Sequence, residues 1–156
     1  MERDRPWEGR GGTVLIVDDD EDDAHLSLHT IKKLFPRFRA LVIHSAEDLF
    51  FYLEGNKDFS NRSEYPYPNL VLLALKMAGL DGFDALIWLR RPPPHNDIPV
   101  IALMEFGEQQ LAKSTCALGA RACLTKPLRV EACEKLVQLC RQSLVFPKAH
   151  AFVDAR

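Results

Sequence analysis

The chain has 156 residues, 47% of them hydrophobic, and a formal net charge of -2 at pH 7, which together predict one domain with a core large enough to fold without disulfides or structural metals. The slightly acidic balance argues against a nucleic-acid-binding surface, which needs clustered basic residues. No apolar run approaches the roughly 20 residues that span a bilayer, and residues 1–12 lack the apolar segment of a signal peptide, so we expect a cytoplasmic protein that binds neither nucleic acid nor membrane.

Two hydrophobic patterns alternate along the chain. Short apolar and β-branched runs predict buried strands, and segments with apolar residues three or four apart predict helices with one buried face. In chain order the predicted elements are a strand at 13–17, a helix from about Asp20 to Phe35, a strand at 39–43, a helix from Ser45 to about Gly55, a strand at 70–73, a helix at 81–91, a strand at 98–103, a helix at 109–118, a strand at 122–125 and a helix from about 129 to 144. This alternation predicts an α/β fold with a doubly wound parallel sheet, because parallel neighbours need crossover helices.

Local signals place the ends of the second helix and the loop after it. Ser45 is predicted to cap the helix, with Asp48 at the capping-box position, and Gly55 to end it. Residues 56–67 are polar and aromatic, and a loop of this length is either a binding surface or mobile. We therefore expect an exposed loop between the second helix and the third strand.

Six consecutive acidic residues, from Asp18 to Asp23, follow the first predicted strand. Acids at the start of a helix accept hydrogen bonds from free backbone N–H groups and complement the helix dipole, which accounts for Asp20 to Asp23. Asp18 and Asp19 are expected instead to project from the strand end, where two carboxylates repel one another unless a cation lies between them. These two residues are therefore the candidate functional acids of the run.

The third predicted strand leads to the most informative position in the chain. The run from Leu70 to Leu73 is uninterrupted, as expected of a strand buried on both faces of a parallel sheet. Ligands of doubly wound folds bind beyond the carboxyl ends of the strands, so the next residue faces the site. That residue is Ala74, which offers only a methyl group, and the ends of the fourth and fifth strands present Met104 and Lys126.

The spacing of cysteine and histidine residues gives no metal site. The four cysteines include no Cys-x-x-Cys pair, so we expect them to pack as small hydrophobic residues rather than to form a disulfide or bind zinc. His25 and His29 lie four apart on the first predicted helix without a third ligand at suitable spacing, so we expect an exposed helix face there. The cysteines are Cys116, Cys123, Cys133 and Cys140, of which the last two share a face of the final predicted helix.

Five sequence motifs stand in order at strand ends and turns between Thr13 and about Leu144. They are Val17-Asp18-Asp19, Gly79-x-Asp81-Gly82, Ile98-Pro99-Val100-Ile101-Ala102, Gly119-Ala120 and Thr125-Lys126-Pro127. Together they resemble the response-regulator receiver domain of two-component signalling. The resemblance implies a flavodoxin-like, five-stranded parallel sheet with strand order 2-1-3-4-5. We expect a receiver-like domain at 13–145, preceded at 1–12 by a disordered tail that is too charged and glycine-rich to form a core, and followed by a C-terminal extension at 146–156.

The same resemblance implies a phosphate-driven switch. In this family two N-terminal acids bind Mg²⁺, an aspartate at the end of the central strand accepts a phosphoryl group, and a Ser or Thr and a Lys at later strand ends grip the phosphate. Mg²⁺ bridges carboxylate and phosphoryl oxygens, and the lysine neutralises charge. Phosphorylation then moves the Ser or Thr and an aromatic residue on the fifth strand, which reshapes the face built from the last two helices.

This chain departs from the family pattern at four positions. Ala74 stands in the place of the phosphoacceptor and has no oxygen nucleophile, so an acyl phosphate cannot form there. Met104 replaces the Ser or Thr and cannot donate a hydrogen bond to a phosphoryl oxygen. Cys123 replaces the switch aromatic, and Ala78 replaces the usual turn proline. We therefore expect a degenerate receiver that works without phosphorylation.

Three residues of the family's site persist, namely Asp18, Asp19 and Lys126. Because one of three protein oxygen ligands is missing at Ala74, we expect Mg²⁺ to bind weakly at best and no cofactor to be required. We also expect Lys126 to pair with Asp18 or Asp19, since the acids otherwise repel one another. In the alternative arrangement, Lys126 points into solvent.

Three functional readings remain open at this point. The first is a single-domain pseudo-receiver, similar to the receivers that work beside phytochrome-type kinases, which binds a histidine kinase or another signalling protein and dimerises through its last two helices. The second is a phosphorylatable receiver. It either uses Asp18 or Asp19 as the acceptor, or it is a normal phosphorelay regulator whose acceptor aspartate has been mutated to Ala74. The third is an unrelated enzyme or nucleotide binder, against which stands the lack of a glycine-rich phosphate loop after any predicted strand.

Overall fold

The computed structural model describes residues 12–91, 95, 97–131 and 152–153, and the described strands form one parallel sheet. The strands are Gly12–Val17 (β1), Phe38–Ile43 (β2), Leu70–Ala74 (β3), Val100–Met104 (β4), Ala122–Thr125 (β5) and Phe152–Val153 (β6). The described α-helices are Glu21–Leu34 (α1), Ala46–Glu54 (α2), Gly82–Leu89 (α3) and Ala112–Ala117 (α4). The order across the sheet is β2-β1-β3-β4-β5-β6, with every neighbouring pair parallel.

This topology confirms the predicted fold class and the 2-1-3-4-5 order of the first five strands. The two-residue β6 was not predicted, and it adds a sixth strand beside β5 from within the C-terminal extension. The proposed tail at 1–12 lies outside the described residues except for Gly12, which is the first residue of β1. The predicted final helix, with Cys133 and Cys140, also lies outside them.

The hydrophobic core lies on both faces of the sheet, because successive side chains of a strand point to opposite faces. In β1, Leu15 and Val17 pack into one buried cluster, whereas Val14 and Ile16 pack into the other. All five residues of β3 are buried, as the uninterrupted apolar run predicts for a central parallel strand. The fold therefore holds the end of β3 rigidly between β1 and β4.

Side-chain caps determine where the helices begin. The Asp20 side chain accepts a hydrogen bond from the Asp23 N–H at 3.0 Å at the start of α1. Ser45 caps α2 through the Asp48 N–H at 3.0 Å, and the helix ends at Gly55 in the left-handed conformation, both as predicted. The full reciprocal capping box occurs instead at α3, between Asp81 and Asp84, and the sequence reading overlooked it.

The fourth helix and the fourth strand differ from their predicted bounds. The segment expected to be helical from residue 109 begins as a 3-10 turn at Gln109–Leu111, and α4 proper covers only Ala112–Ala117. β4 begins at Val100 rather than at residue 98 because Pro99, before it, has no N–H for the ladder. β4 also extends to Met104, which is therefore part of the strand.

The loop at 56–67 is packed against α2 through hydrogen bonds and aromatic contacts. The Arg62 guanidinium donates to the carbonyl oxygens of Tyr52 and Leu53 at 2.7 Å each, which satisfies the end of α2. Phe59 and Tyr65 pack on the Tyr52 ring with centroids 5.2 Å and 5.9 Å away.

None of the helices in the described part of the chain has both the length and the hydropathy that crossing a bilayer requires.

Candidate functional site

The candidate site lies at the carboxyl edge of the sheet, where the register brings four strand ends to one level. Val17 pairs with Leu73, so Asp18, which follows β1, lies at the same level as Ala74, the last residue of β3. Ala74 in turn pairs with Leu103 of β4. Met104 pairs with Thr125, the residue before Lys126, and the Lys126 N–H donates to the Met104 carbonyl oxygen at 2.8 Å. The residues predicted at this edge are therefore brought together.

Asp18 is a fully buried acid at the end of β1. Its Oδ1 accepts the Asp20 N–H at 3.1 Å, and its Oδ2 lies 2.8 Å from the Lys126 Nζ. Burial raises the pKa of Asp18 above its ordinary value, while the hydrogen bond from Lys126 opposes that shift. Both oxygens of this carboxylate are thus engaged within the protein.

Lys126 is the centre of an acidic cluster. Its side chain is only 5% exposed, and its Nζ lies 2.8 Å from Asp18 Oδ2, 3.1 Å from Asp23 Oδ2 and 3.9 Å from Glu105 Oε1. Burial disfavours the charged ammonium, but the hydrogen bonds that it donates to Asp18 and Asp23 and its attraction to their charges outweigh burial, so the pKa of Lys126 is raised. The amine is therefore held charged and directed into the site, which contradicts the alternative in which it points into solvent.

Asp19, which we considered as a partner of Lys126, contacts a backbone N–H group instead. It is exposed, and its Oδ2 accepts the Ala78 N–H at 2.8 Å. This bond links the β1–α1 loop to the β3–α3 loop on the opposite side of the site. Of the two acids proposed as partners of Lys126, the described contacts therefore select Asp18.

Asp23 and Glu105 belong to the cluster, although the sequence reading did not single them out. Asp20 caps α1, so Asp23 is the third residue of the helix and its side chain turns back toward the strand end. Glu105 is the first residue after β4 and therefore stands at the same edge of the sheet. Their positions in the sequence could have identified both acids, because residues just after a strand and residues in the first turn of the next helix lie at the same edge of the sheet.

Ala74 ends β3 with a buried methyl group and no side-chain oxygen. The backbone around it is crowded, because a Cβ added at Gly82 would clash with the Ala74 carbonyl oxygen and lie 2.6 Å from Leu75 Cα. Gly82 also donates its N–H to the Leu75 carbonyl oxygen at 2.9 Å. The start of α3 is therefore packed directly on the end of β3, and Gly82 permits that approach.

Met104 and Cys123 fill positions behind this edge and are both fully buried. Cys123 Sγ lies 3.8 Å from Cys116 Sγ, beneath α4. Thr125 is also buried, and its Oγ1 has no hydrogen-bond partner among the described residues. The floor of the site is consequently less polar than its acidic rim.

Contacts within the protein occupy several of the carboxylate oxygens that a magnesium ion could use at this edge. Mg²⁺ requires near-octahedral oxygen ligands, usually with at least one free carboxylate. Asp18 is occupied by an ammonium group and a backbone N–H, Asp19 by a backbone N–H, and Ala74 supplies no side-chain oxygen. Across the part of the chain that the structure describes, including His25 and His29, no three His, Cys, Asp or Glu side chains form a metal-holding group.

Comparison with known proteins gives a consistent family assignment. The model of the response regulator receiver domain matches residues 14–138. Among curated proteins, the chain is 28% identical over 137 residues to the cyclic di-GMP phosphodiesterase response regulator RpfG of Xanthomonas campestris, covering 85% of this chain and 34% of RpfG. It therefore spans about a third of that relative. It is 24% identical over 125 residues to the response regulator Rcp1 of Synechocystis, covering 80% and 83% of the two chains.

Solved structures give the same picture. The bacteriophytochrome response regulator RtBRR superposes with a TM-score of 0.73 at 25% identity, over 83% of this chain and 78% of its own. The two proteins therefore share the receiver fold.

Proposed function

Since this chain belongs to the response regulator receiver family, we propose that it is an atypical receiver that acts by protein contact without being phosphorylated. The observation that carries the proposal is Ala74. Ala74 ends β3 beside Asp18, at the position that holds the phosphoacceptor in the receivers that this chain resembles. Its methyl group cannot attack a phosphoryl donor.

The charge arrangement around Lys126 supports the same proposal. In a phosphorylated receiver the lysine neutralises the phosphate, so it has to be available for that group. Here its ammonium group already lies 2.8 Å from Asp18 and 3.1 Å from Asp23. We therefore propose that internal carboxylates take the place of the phosphate and hold the site in one arrangement set by the sequence.

The residues at the edge also support a receiver that works without a metal. Asp18 and Asp19 are both engaged in contacts within the protein, so an incoming Mg²⁺ ion has to displace Lys126 from Asp18. We propose that any binding of Mg²⁺ is weak and that the function requires no cofactor.

The proposed partner is a histidine kinase or another signalling protein in the cytoplasm. Receivers are signalling modules that bind such proteins, and we propose no catalytic activity for this chain. The word phosphodiesterase in the name of RpfG describes that protein, and this chain covers only 34% of its length. Dimerisation through the last two helices is also proposed, although the final one lies outside the described residues.

Partner capture tests whether the interaction depends on phosphate. The purified full chain is treated with acetyl phosphate and Mg²⁺, or left untreated, then freed of reagent and used as bait in native lysate. We expect both baits to recover the same partner in the same amount, because residue 74 cannot carry the signal. A partner that is recovered only by the treated bait would contradict the proposal.

A further inference from the structure

Two cysteine sulfur atoms lie in contact between α4 and β5. Cys116 is in the last turn of α4 and Cys123 is in β5, and their Sγ atoms are 3.8 Å apart with both thiols free. Bonded disulfide sulfurs are about 2.05 Å apart, so closing this pair requires an approach of less than about 2 Å. We propose that Cys116 and Cys123 form a reversible disulfide, which makes the pair an oxidative modification site.

The short segment between the two residues favours this pairing. α4 ends at Ala117, and the chain turns at Gly119, with a φ of 114°, before β5 begins at Ala122. The two thiols are thus held near each other by a tight turn rather than by distant parts of the fold.

The environments of the two thiols differ in a way that assigns their roles. Cys116 is partly exposed, whereas Cys123 is fully buried. The hydrogen bond from Cys123 lowers the pKa of Cys116, with burial opposing it. The same hydrogen bond and burial raise the pKa of Cys123 well above the usual thiol range. Because the thiolate is the reactive form, Cys116 is the attacking residue and Cys123 the resolving one.

The oxidant is a hydroperoxide, of which hydrogen peroxide is the simplest. The Cys116 thiolate attacks one peroxide oxygen, breaks the O–O bond and becomes a sulfenic acid, while the other oxygen leaves as hydroxide. The Cys123 sulfur then attacks the Cys116 sulfur, the S–S bond forms, and the sulfenic oxygen leaves as water with the Cys123 proton. In total two thiols lose two electrons and two protons, and one peroxide becomes two waters.

The disulfide would join the last turn of α4 covalently to β5. Cys123 occupies the position at which the family resemblance expects the mobile aromatic residue of the switch. Oxidation therefore acts on the part of the fold that phosphorylation reshapes in typical receivers, without using residue 74. Formation of the bond itself does not depend on the proposed function.

Peptide mapping of the full chain tests the proposal directly, because trypsin places each of the four cysteines in a different peptide. The protein is treated with hydrogen peroxide, its remaining thiols are blocked with N-ethylmaleimide, and it is digested without reductant. We expect peptides 114–121 and 122–129 to be joined by a disulfide that dithiothreitol releases. The number of thiols that react with maleimide should fall from four to two.

The remaining outcomes would overturn the proposal. These are full maleimide labelling of both residues after oxidation, conversion of Cys116 to sulfinic acid with Cys123 still reduced, and disulfides that involve Cys133 or Cys140 instead. The double variant Cys133→Ser/Cys140→Ser should keep the linked peptide, and Cys116→Ser should lose it. The map of the unsubstituted chain decides the question even if a variant fails to fold.

Discussion

Lys126 balances a carboxylate that has no access to water. Asp18 is fully buried, and the 2.8 Å contact with the Lys126 ammonium group is what allows it to remain ionised there. Moving a charge from water into a protein interior costs several kcal/mol unless a partner is well placed. At the residue scale, the site is therefore centred on the ion pair between Asp18 and Lys126.

Replacing Lys126 should accordingly destabilise the fold. Lys126→Met keeps the length of the side chain but leaves Asp18 buried without a counter-charge, and we expect a loss of about 3 to 5 kcal/mol in the free energy of unfolding at neutral pH. The loss should shrink as the pH falls, because protonation removes the unpaired charge. Urea denaturation of the variant and the unsubstituted chain measures both effects.

The matched control for this prediction is Lys113→Met, since Lys113 is an exposed residue of α4. It should change the unfolding free energy by less than about 0.5 kcal/mol. If Lys126→Met behaves like this control, the ion pair with Asp18 does not stabilise the protein and the description of the site is wrong.

The sequence was sufficient to predict the ion pair but not to choose between its carboxylates. Asp18 and Asp19 are neighbours in the chain, and strand periodicity alone points them to different sides. The choice depends on which loop reaches the second acid, and here the Ala78 N–H bonds Asp19 at 2.8 Å. Asp23 was assigned only to helix capping because its contact with Lys126 spans more than a hundred positions along the chain.

Elements were predictable where a local signal defines them. The apolar runs gave all five strands of the receiver sheet, and Ser45 and Gly55 gave the ends of α2. The 3-10 turn before α4 and the two-residue β6 have no such signal, because tertiary contacts decide both. The loop at 56–67 reads as polar from its composition, yet Arg62 fixes it through two bonds of 2.7 Å to carbonyl oxygens of α2.

The buried side chain of His95 should make the stability of the protein depend on pH. His95 is 7% exposed, its ring is stacked with those of Trp88 and Tyr67, and its Nδ1 lies 2.7 Å from the Tyr67 hydroxyl. Burial lowers the pKa of His95, and attraction to Glu54 opposes it only in part. The folded state thus favours the neutral ring, so this contribution to stability is complete above the unfolded pKa of about 6.5 and is lost as the pH falls through the lower folded pKa.

We therefore expect the urea concentration at the unfolding midpoint to decrease when the pH is lowered from about 7.5 to about 5.5. The decrease should be smaller in His95→Gln, because glutamine cannot titrate. His25→Gln is the matched control, because His25 is exposed on α1, and it should keep the full pH dependence. An identical fall in the unsubstituted chain and in His95→Gln would exclude His95 as the source.

On the scale of the whole molecule, the described strands form the receiver architecture. The sheet order β2-β1-β3-β4-β5 places Asp18, Ala74 and Lys126 at one edge, as in a phosphate-driven switch. The alternation of strands and helices was enough to predict a parallel, doubly wound sheet, because crossover helices admit few arrangements, and the family resemblance supplied the strand order. Fold-level similarity to other regulators does not decide whether this edge carries a phosphate.

Intact-mass spectrometry of the full chain after incubation with acetyl phosphate and Mg²⁺ tests the central claim most directly. A receiver domain that has its acceptor aspartate is treated in parallel, to establish that the reagent is active. We predict that the control gains a phosphate and that this chain keeps its unmodified mass, because Ala74 has no oxygen to accept the group. A phosphate adduct on this chain, at Asp18, Asp19 or any other residue, would contradict the account.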